Sequence, residues 1–332
     1  MGSRQANPLT PPNLISDQAL SLANVFRMGE DAAYGVFCDM RWPETDGEPV
    51  CPRCGCTEAC HISTRRKFKC VACHHQFSVT SGTIFASRKL SFTDLLAAVV
   101  IFVNGAKGIS ALQASRDLDV QYKTAFVMFH KLREAMQREL EGLKLDGIVE
   151  MDGAYFGGHI RPENRKEDRK DRRLAKHQTG KRQCVVVMRE RKGRTLPFVV
   201  RQEGDIVPYV RNYVGNLATI HADEASSWDA LHAGWQTWRI NHSLAYSADG
   251  ACTNQAESYF SRLRRMEVGT HHHIAGPYLR AYAGEAAWRG DNRRVDNGGE
   301  AMKYSNVRRI PDSKDSEGFQ PSSRVSFEKS MA

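Results

Sequence analysis

The chain has 332 residues, a formal net charge of +9 and 41% hydrophobic residues, enough for two or three compact units and suited to a polyanionic partner. Its longest apolar stretch, Leu95 to Val103, is far too short to span a bilayer, and Met1-Gly2-Ser3-Arg4 is not followed by a signal-peptide core. With Ala6 where a myristoylation signal needs Ser or Thr, these features argue against a membrane-spanning or lipid-anchored protein and predict a soluble, cytoplasmic one.

Residues 1–20 are Pro- and Asn-rich and are expected to form a mobile arm. Leu22 to Met40 has helical spacing, with Val25, Phe26, Ala33, Phe37 and Met40 on related faces, until Trp42-Pro43 ends the pattern. Two C-x-x-C knuckles follow, Cys51-Pro-Arg-Cys54 and Cys70-Val-Ala-Cys73, separated by the 15 residues 55–69. Each knuckle puts two thiolates on one tight turn, so the pair supplies the four corners of a tetrahedron, the geometry of a closed structural Zn²⁺ site. Disulfides are the alternative; the other five cysteines, Cys38, Cys56, Cys60, Cys184 and Cys252, are an odd, scattered set that fits a reducing compartment instead. Arg65 to Lys69 is expected to enter the second knuckle as a strand, and Phe77-Ser78-Val79-Thr80 to close the ribbon as another. Arg53, Arg65, Arg66, Lys67, Lys69 and Arg88 give this module a basic surface, for phosphates or simply for solvent.

Residues 91–140 predict three helices. Ser91 caps the first, with Asp94 in its first turn; Ile109 to Leu118 and Tyr122 to Met136 follow, joined by the turn Asp117-Leu118-Asp119-Val120. A short helix, a tight turn and Lys123, Lys131 and Arg133 on the next helix suit a DNA-docking helix-turn-helix or a plain helical hairpin. From residue 145 the period becomes that of strands: Gly147 to Asp152, Cys184 to Met188, Leu196 to Val200, Ala218 to Asp223, and a possible last strand at Trp238 to His242. Asp205 is expected to cap a helix through Tyr213, and two further helices are expected near 253–266 and 274–289. Arg161 to Arg182 is a charged, exposed loop or a nucleic-acid contact, and the polar chain beyond Arg294 is expected to be disordered.

This order predicts an α/β layer. Asp152 and Asp223 end apolar strands, where such sheets place ligands, and Glu257 lies in a helical first turn 34 positions after Asp223. Three converging carboxylates repel one another unless a cation sits among them, and hard oxygen ligands select Mg²⁺ or Mn²⁺. Most strand-end and helix-start acids are caps or solvated charges, and Glu224 and Asp249 are rival ligands. His271-His272-His273 has the spacing of a loop near DNA or the site, not of a metal cluster, and Trp228, Trp235 and Trp238 are expected in the core.

Several motifs carry a family resemblance. The ribbon followed by Phe77-Ser78-Val79 and Gly82-Thr83-Ile84-Phe85 resembles the start of a group of bacterial insertion-sequence transposases. Thr253-Asn254-Gln255-Ala256-Glu257-Ser258-Tyr259-Phe260-Ser261-Arg262-Leu263-Arg264-Arg265 resembles the group's catalytic helix, and Gly269 to Ile274, Tyr278-Leu279, Tyr282, Glu285 and Trp288-Arg289 its continuation. With gaps, the resemblance runs from about residue 22 to 294. It implies a DDE-type transposase: a mixed sheet with flanking helices in an RNase H-like core, double-stranded DNA as partner, at least a dimer on paired ends, and joining of cut 3′-hydroxyls to target DNA. It further implies an arm and helix at 1–47, a ribbon at 48–87, a helical DNA-binding segment at 88–144, a catalytic domain at 145–295 and a tail at 296–332. Asp152 takes the first acidic position and Asp223 the second, with Glu257 or Asn254 third; Glu257 is the stronger metal ligand and Asn254 would orient DNA or a ligand. Arg264, two turns beyond Glu257, takes a basic position that is usually Lys and would contact a phosphate. The group typically has an acidic residue directly after its first aspartate, where this chain has Gly153, so a catalytically inactive zinc-ribbon DNA-binding regulator stays open as a second reading and a nuclease that cuts without joining as a third.

Overall fold

A computed structural model describes residues 21–140, 142–157, 165–170, 180–241, 250 and 252–294. The arm expected over 1–20, the tail expected over 296–332 and Asp249 lie outside the described residues.

Helix α1 (Leu22–Arg41) starts at Ser21, whose hydroxyl accepts the Asn24 N–H at 3.1 Å. The helix expected to be continuous breaks at Gly29, whose φ of 72° only glycine adopts at little cost. At its end Trp42 meets Phe68 and Phe77 edge-on, with ring centroids 5.6 and 6.4 Å away, which seats the helix on the ribbon. The ribbon is a three-stranded antiparallel sheet of β1 (Ala59–Ile62), β2 (Lys67–Cys70) and β3 (Gln76–Phe77). Its strands are shorter than the sequence predicts. Ser63–Arg65 form a 3-10 turn and Arg66 takes φ 45°, so β2 starts at Lys67; beyond Phe77 the Ser78 N–H turns back to the Ser81 hydroxyl at 2.9 Å.

The predicted helices of the next segment are α2 (Phe92–Asn104), α3 (Ala111–Asp117) and α4 (Tyr122–Arg138). Ser91 caps α2 by accepting the Asp94 N–H at 3.0 Å, and Glu30 of α1 accepts the Phe92 and Thr93 N–H groups at 3.0 and 3.1 Å. Two carboxylate or hydroxyl acceptors thus satisfy amides that a helix start leaves unpaired. One apolar cluster runs through α1, the ribbon, α2, α3 and α4, and takes in Trp288 from the last helix.

The remaining strands form one mixed sheet in the order β6-β5-β4-β7-β8, from β4 (Ile148–Phe156), β5 (Gln183–Glu190), β6 (Thr195–Val200), β7 (Thr219–Asp223) and β8 (Gln236–Ile240). The first three pair antiparallel; β4, β7 and β8 run parallel. Strand alternation divides the layers. Val149, Met151, Ile220 and Ala222 pack toward α5 (Val207–Tyr213) and Trp228, while Ala154, Phe156, Val185 and Val187 pack under α6 (Asn254–Met266) and α7 (Leu279–Asn292). Asp205 does not cap α5 directly. It belongs to a 3-10 turn, Glu203–Ile206, where its carboxylate accepts the Gln202 N–H at 3.1 Å. The last helix starts later than predicted, at Leu279, because Gly276-Pro277-Tyr278 takes the tighter 3-10 winding. Trp228 is fully buried and Trp235 partly so, but Trp238 on the edge strand β8 is 39% exposed, against the expectation of three core tryptophans. Among the described residues no helix is long and apolar enough to cross a membrane.

Candidate active site and zinc centre

The four knuckle cysteines come together as their spacing requires. Their sulfurs lie within 4.8 Å of one another, with Cys51 to Cys73 at 3.6 Å and Cys54 to Cys70 at 3.5 Å. Sulfurs bound at about 2.3 Å around a tetrahedral ion stand at separations of this size, so the donor set fits Zn²⁺. Among the described residues this is the one cluster of three or more His, Cys, Asp or Glu side chains arranged to hold a metal. Chelating the metal, or Cys73→Ser, is expected to open the ribbon, because thiolates without their cation repel. Limited proteolysis should then cut within 48–87 while the mixed sheet resists; an unchanged digest would reject a structural zinc.

Asp223 ends β7 as expected, but Asp152 does not end its strand: β4 stays paired with β5 through Phe156, which leaves Asp152 in the middle of β4. Ile148 is level with Thr219, Val149 with Ile220 and Glu150 with His221. That pairing ends at Glu150 and His221; Asp152 and Asp223 each lie two residues further on, and alternation turns both toward the α6 side. Glu257 lies in the first turn of α6, and its charge bears on Asp152. Burial pushes the Asp152 carboxyl up to about 7, and the charges of Asp223, Glu257 and Glu203 push the same way against the opposing Gly153 N–H. The latter donates to Asp152 Oδ1 at 2.7 Å. One oxygen of Asp223 is held by the Ala225 N–H at 3.1 Å and the Trp228 indole N–H at 2.5 Å. The carboxylates feel one another without closing on one point, and a cation would relieve the strain of their assembly.

Glu150, two residues before Asp152 on the same face of β4, is what anchors α6. It is fully buried and accepts the Gln255 and Ala256 N–H groups at 2.7 and 3.3 Å. Thr253 makes no side-chain cap, so a carboxylate from the sheet takes the cap's place at the positive end of the helix. Arg191, just beyond β5, balances the charge, its guanidinium 3.1 Å from Glu150 Oε1, and donates to the Cys252 sulfur at 2.8 Å. The Cys252 N–H in turn donates to His221 Nδ1 at 3.2 Å. Helix α6, with Glu257, is thus tied to the strand bearing Asp152. Glu150→Gln keeps an acceptor but removes the charge, and is expected to cost about 2 kcal/mol. Amide exchange at Gln255 and Ala256 should quicken with the drop in melting temperature; an unaltered α6 start would remove Glu150 from this role.

Sequence reasoning missed Glu150, although a carboxylate two positions before a strand-end aspartate is the signal that could have found it. It also missed the bond between the helical segment and the sheet. Glu285 of α7, fully buried, accepts from Arg133 of α4 at 2.6 Å and from Arg289 at 2.7 and 2.9 Å. Arg289 also donates to the Phe102 and Val103 carbonyls at the end of α2, at 2.7 and 3.1 Å. Burial alone would raise the Glu285 pKa, but the two guanidinium groups outweigh it and hold it at about 2. Of the other expected residues, Asn254 and Arg264 are exposed on α6, and Glu224 is exposed beyond β7. His271 packs against Tyr282 with centroids 4.6 Å apart, and burial pushes its imidazole down to about 4. Residues 165–170 and 180–182 of the basic run are exposed; its remaining residues lie outside the described ones.

Comparison with protein families gives two matches. An ISXO2-like transposase domain matches residues 144–291, from the approach to β4 through α7, and a transposase zinc-ribbon domain matches residues 28–76. Together they take in more than half of the chain. No curated protein matches it.

Proposed function

Because the chain belongs to the insertion-sequence transposases that carry a zinc ribbon and an ISXO2-like transposase domain, we propose that it cuts and joins DNA at the acidic rim of β4 and β7. The observation that carries this reading is that the charges of Asp223 and Glu257 both bear on the buried Asp152 carboxyl within the matched domain. In it the mixed sheet with its flanking helices is an RNase H-like core spanning 145–295, the ribbon of 48–87 and the helical segment of 88–144 grip the terminal inverted repeats, and two protomers or more hold paired ends. Asp152, Asp223 and Glu257 hold Mg²⁺ or Mn²⁺, ions that when bound in pairs activate an attacking oxygen and stabilise a leaving one. Water breaks the phosphodiester first; the freed 3′-hydroxyl then attacks target DNA. Asn254, exposed at the start of α6, orients DNA, and Arg264 on the same helix contacts a phosphate. Catalysis comes from positioning and charge neutralisation.

The test is a labelled DNA carrying the element's flanking inverted repeats, incubated with Mg²⁺, Mn²⁺ or EDTA. Metal-dependent nicking followed by joining is expected. Gly153 favours a second reading, a regulator that binds DNA without cutting it; metal-independent binding with no nicking in either metal would select that one.

A further inference from the structure

Gly153 stands one residue beyond Asp152 on β4, and the space its side chain would take is filled. A Cβ at this position would lie 2.6 Å from Cγ, 2.7 Å from Oε1 and 2.9 Å from Cδ of Glu203. Unbonded carbon and oxygen atoms do not approach so closely, so a side chain at 153 and the Glu203 carboxylate exclude each other in this arrangement. Glu203 comes from the 3-10 turn between β6 and α5, which is braced by the Gln202–Asp205 capping pair and by the fully buried Ile206. Its Oε2 accepts from the Ser227 hydroxyl at 2.9 Å, four residues beyond Asp223. One carboxylate therefore lies against the middle of β4 at Gly153 and bonds Ser227 just beyond β7. Asp152 Oδ1 accepts the N–H of that same Gly153 at 2.7 Å, so both carboxylates lie against one residue of β4, and the Glu203 charge bears on Asp152.

We propose that Glu203 is a fourth carboxylate of the divalent-cation site, and that Gly153 is the opening that admits it. This rests on the reading of Asp152, Asp223 and Glu257 as the cation-holding group. In this arrangement Gly153 is no sign of decay. The acidic group is delivered from a neighbouring element instead of from the strand itself, into the space that a side chain at 153 would take.

The test measures Mn²⁺ binding to the full chain without DNA, by the loss of the free-ion electron paramagnetic resonance signal, with circular dichroism melts as the check on folding. Asp152→Ala is the control for the underlying site and should weaken binding by about a hundredfold, the upper end of what losing a metal-site partner costs. Glu203→Ala and the nearly isosteric Glu203→Gln should each weaken it about tenfold. Gly153→Ala should displace the Glu203 carboxylate and weaken binding as much, and Gly153→Ala with Glu203→Ala should be no worse than either alone, since both remove one interaction. Wild-type affinity in both Glu203 variants, with Asp152→Ala weakened, would overturn the proposal and leave the three-carboxylate reading intact. Wild-type affinity in Asp152→Ala as well would remove that reading, and the proposal with it. Additive losses at 153 and 203 would break the link between the two positions.

Discussion

Replacing Asp152 by alanine is expected to lower DNA cleavage and joining by at least about a thousandfold, roughly 4 kcal/mol of lost transition-state stabilisation. Of the acidic residues it is the one centred in the group: its carboxyl is half-buried, and the charges of Asp223, Glu257 and Glu203 all bear on it. Removing it takes away a ligand and leaves the others too far apart to hold a cation firmly. Affinity for DNA should change little, because the substitution leaves the basic groups of the ribbon and of α4 in place. Gel-shift and strand-transfer assays on the same preparation separate the two effects. A fully active Asp152→Ala protein would end the assignment of chemistry to this site.

Glu285→Ala is expected to cost about 3–5 kcal/mol of stability, on the order of 10 °C in melting temperature. The substitution leaves Arg133, only 2% exposed, without its carboxylate, and loosens Arg289 from both Glu285 and the end of α2. An uncompensated buried charge is the reason for the size of the effect; the net worth of the intact triad is smaller. The pH dependence follows with a definite sign. Glu285 is held near 2, below the usual 4.5, so its contribution is complete above 4.5 and is lost as pH falls toward 2. His130 and His271 are pushed by burial from 6.5 to about 4, so their neutral forms stabilise the fold fully above 6.5 and that contribution is lost as pH falls toward 4. Wild-type protein should therefore lose stability in two stages on acidification. Glu285→Ala should keep the upper stage and lose the lower one, and an unchanged profile would refute the triad's role.

The zinc centre was legible from sequence because its ligands are local: two residues between thiolates suffice to make a turn, whatever surrounds it. The start of α2 was legible for the same reason, as Ser91 accepts an amide three residues on; α3 was expected from Ile109 but starts at Ala111, capped by Ser110. Local signals misled where a neighbouring group intervened. Asp205 looked like a cap and instead closes a 3-10 turn, and β2 starts late because Arg66 takes a left-handed conformation. Thr253 looked like the natural start of α6, yet the amides there go to Glu150, 105 and 106 positions earlier in the chain.

The sequence by itself determined the ribbon's ligand set, the presence of most helices and strands, and Asp223 at the end of β7, but not that β4 runs on past Asp152 to Phe156, since spacing, capping and hydrophobic period depend on residues within one or two turns. Only the tertiary structure decided which strands are neighbours, that the charges of Asp223 and Glu257 bear on Asp152, that Glu150 holds α6, and that Arg133 meets Glu285 across 152 positions. It also decided what fills the space at Gly153. Each of these is a contact between groups far apart in the chain, and what makes it form is the burial of charge and apolar surface in one shared interior, which no local pattern encodes.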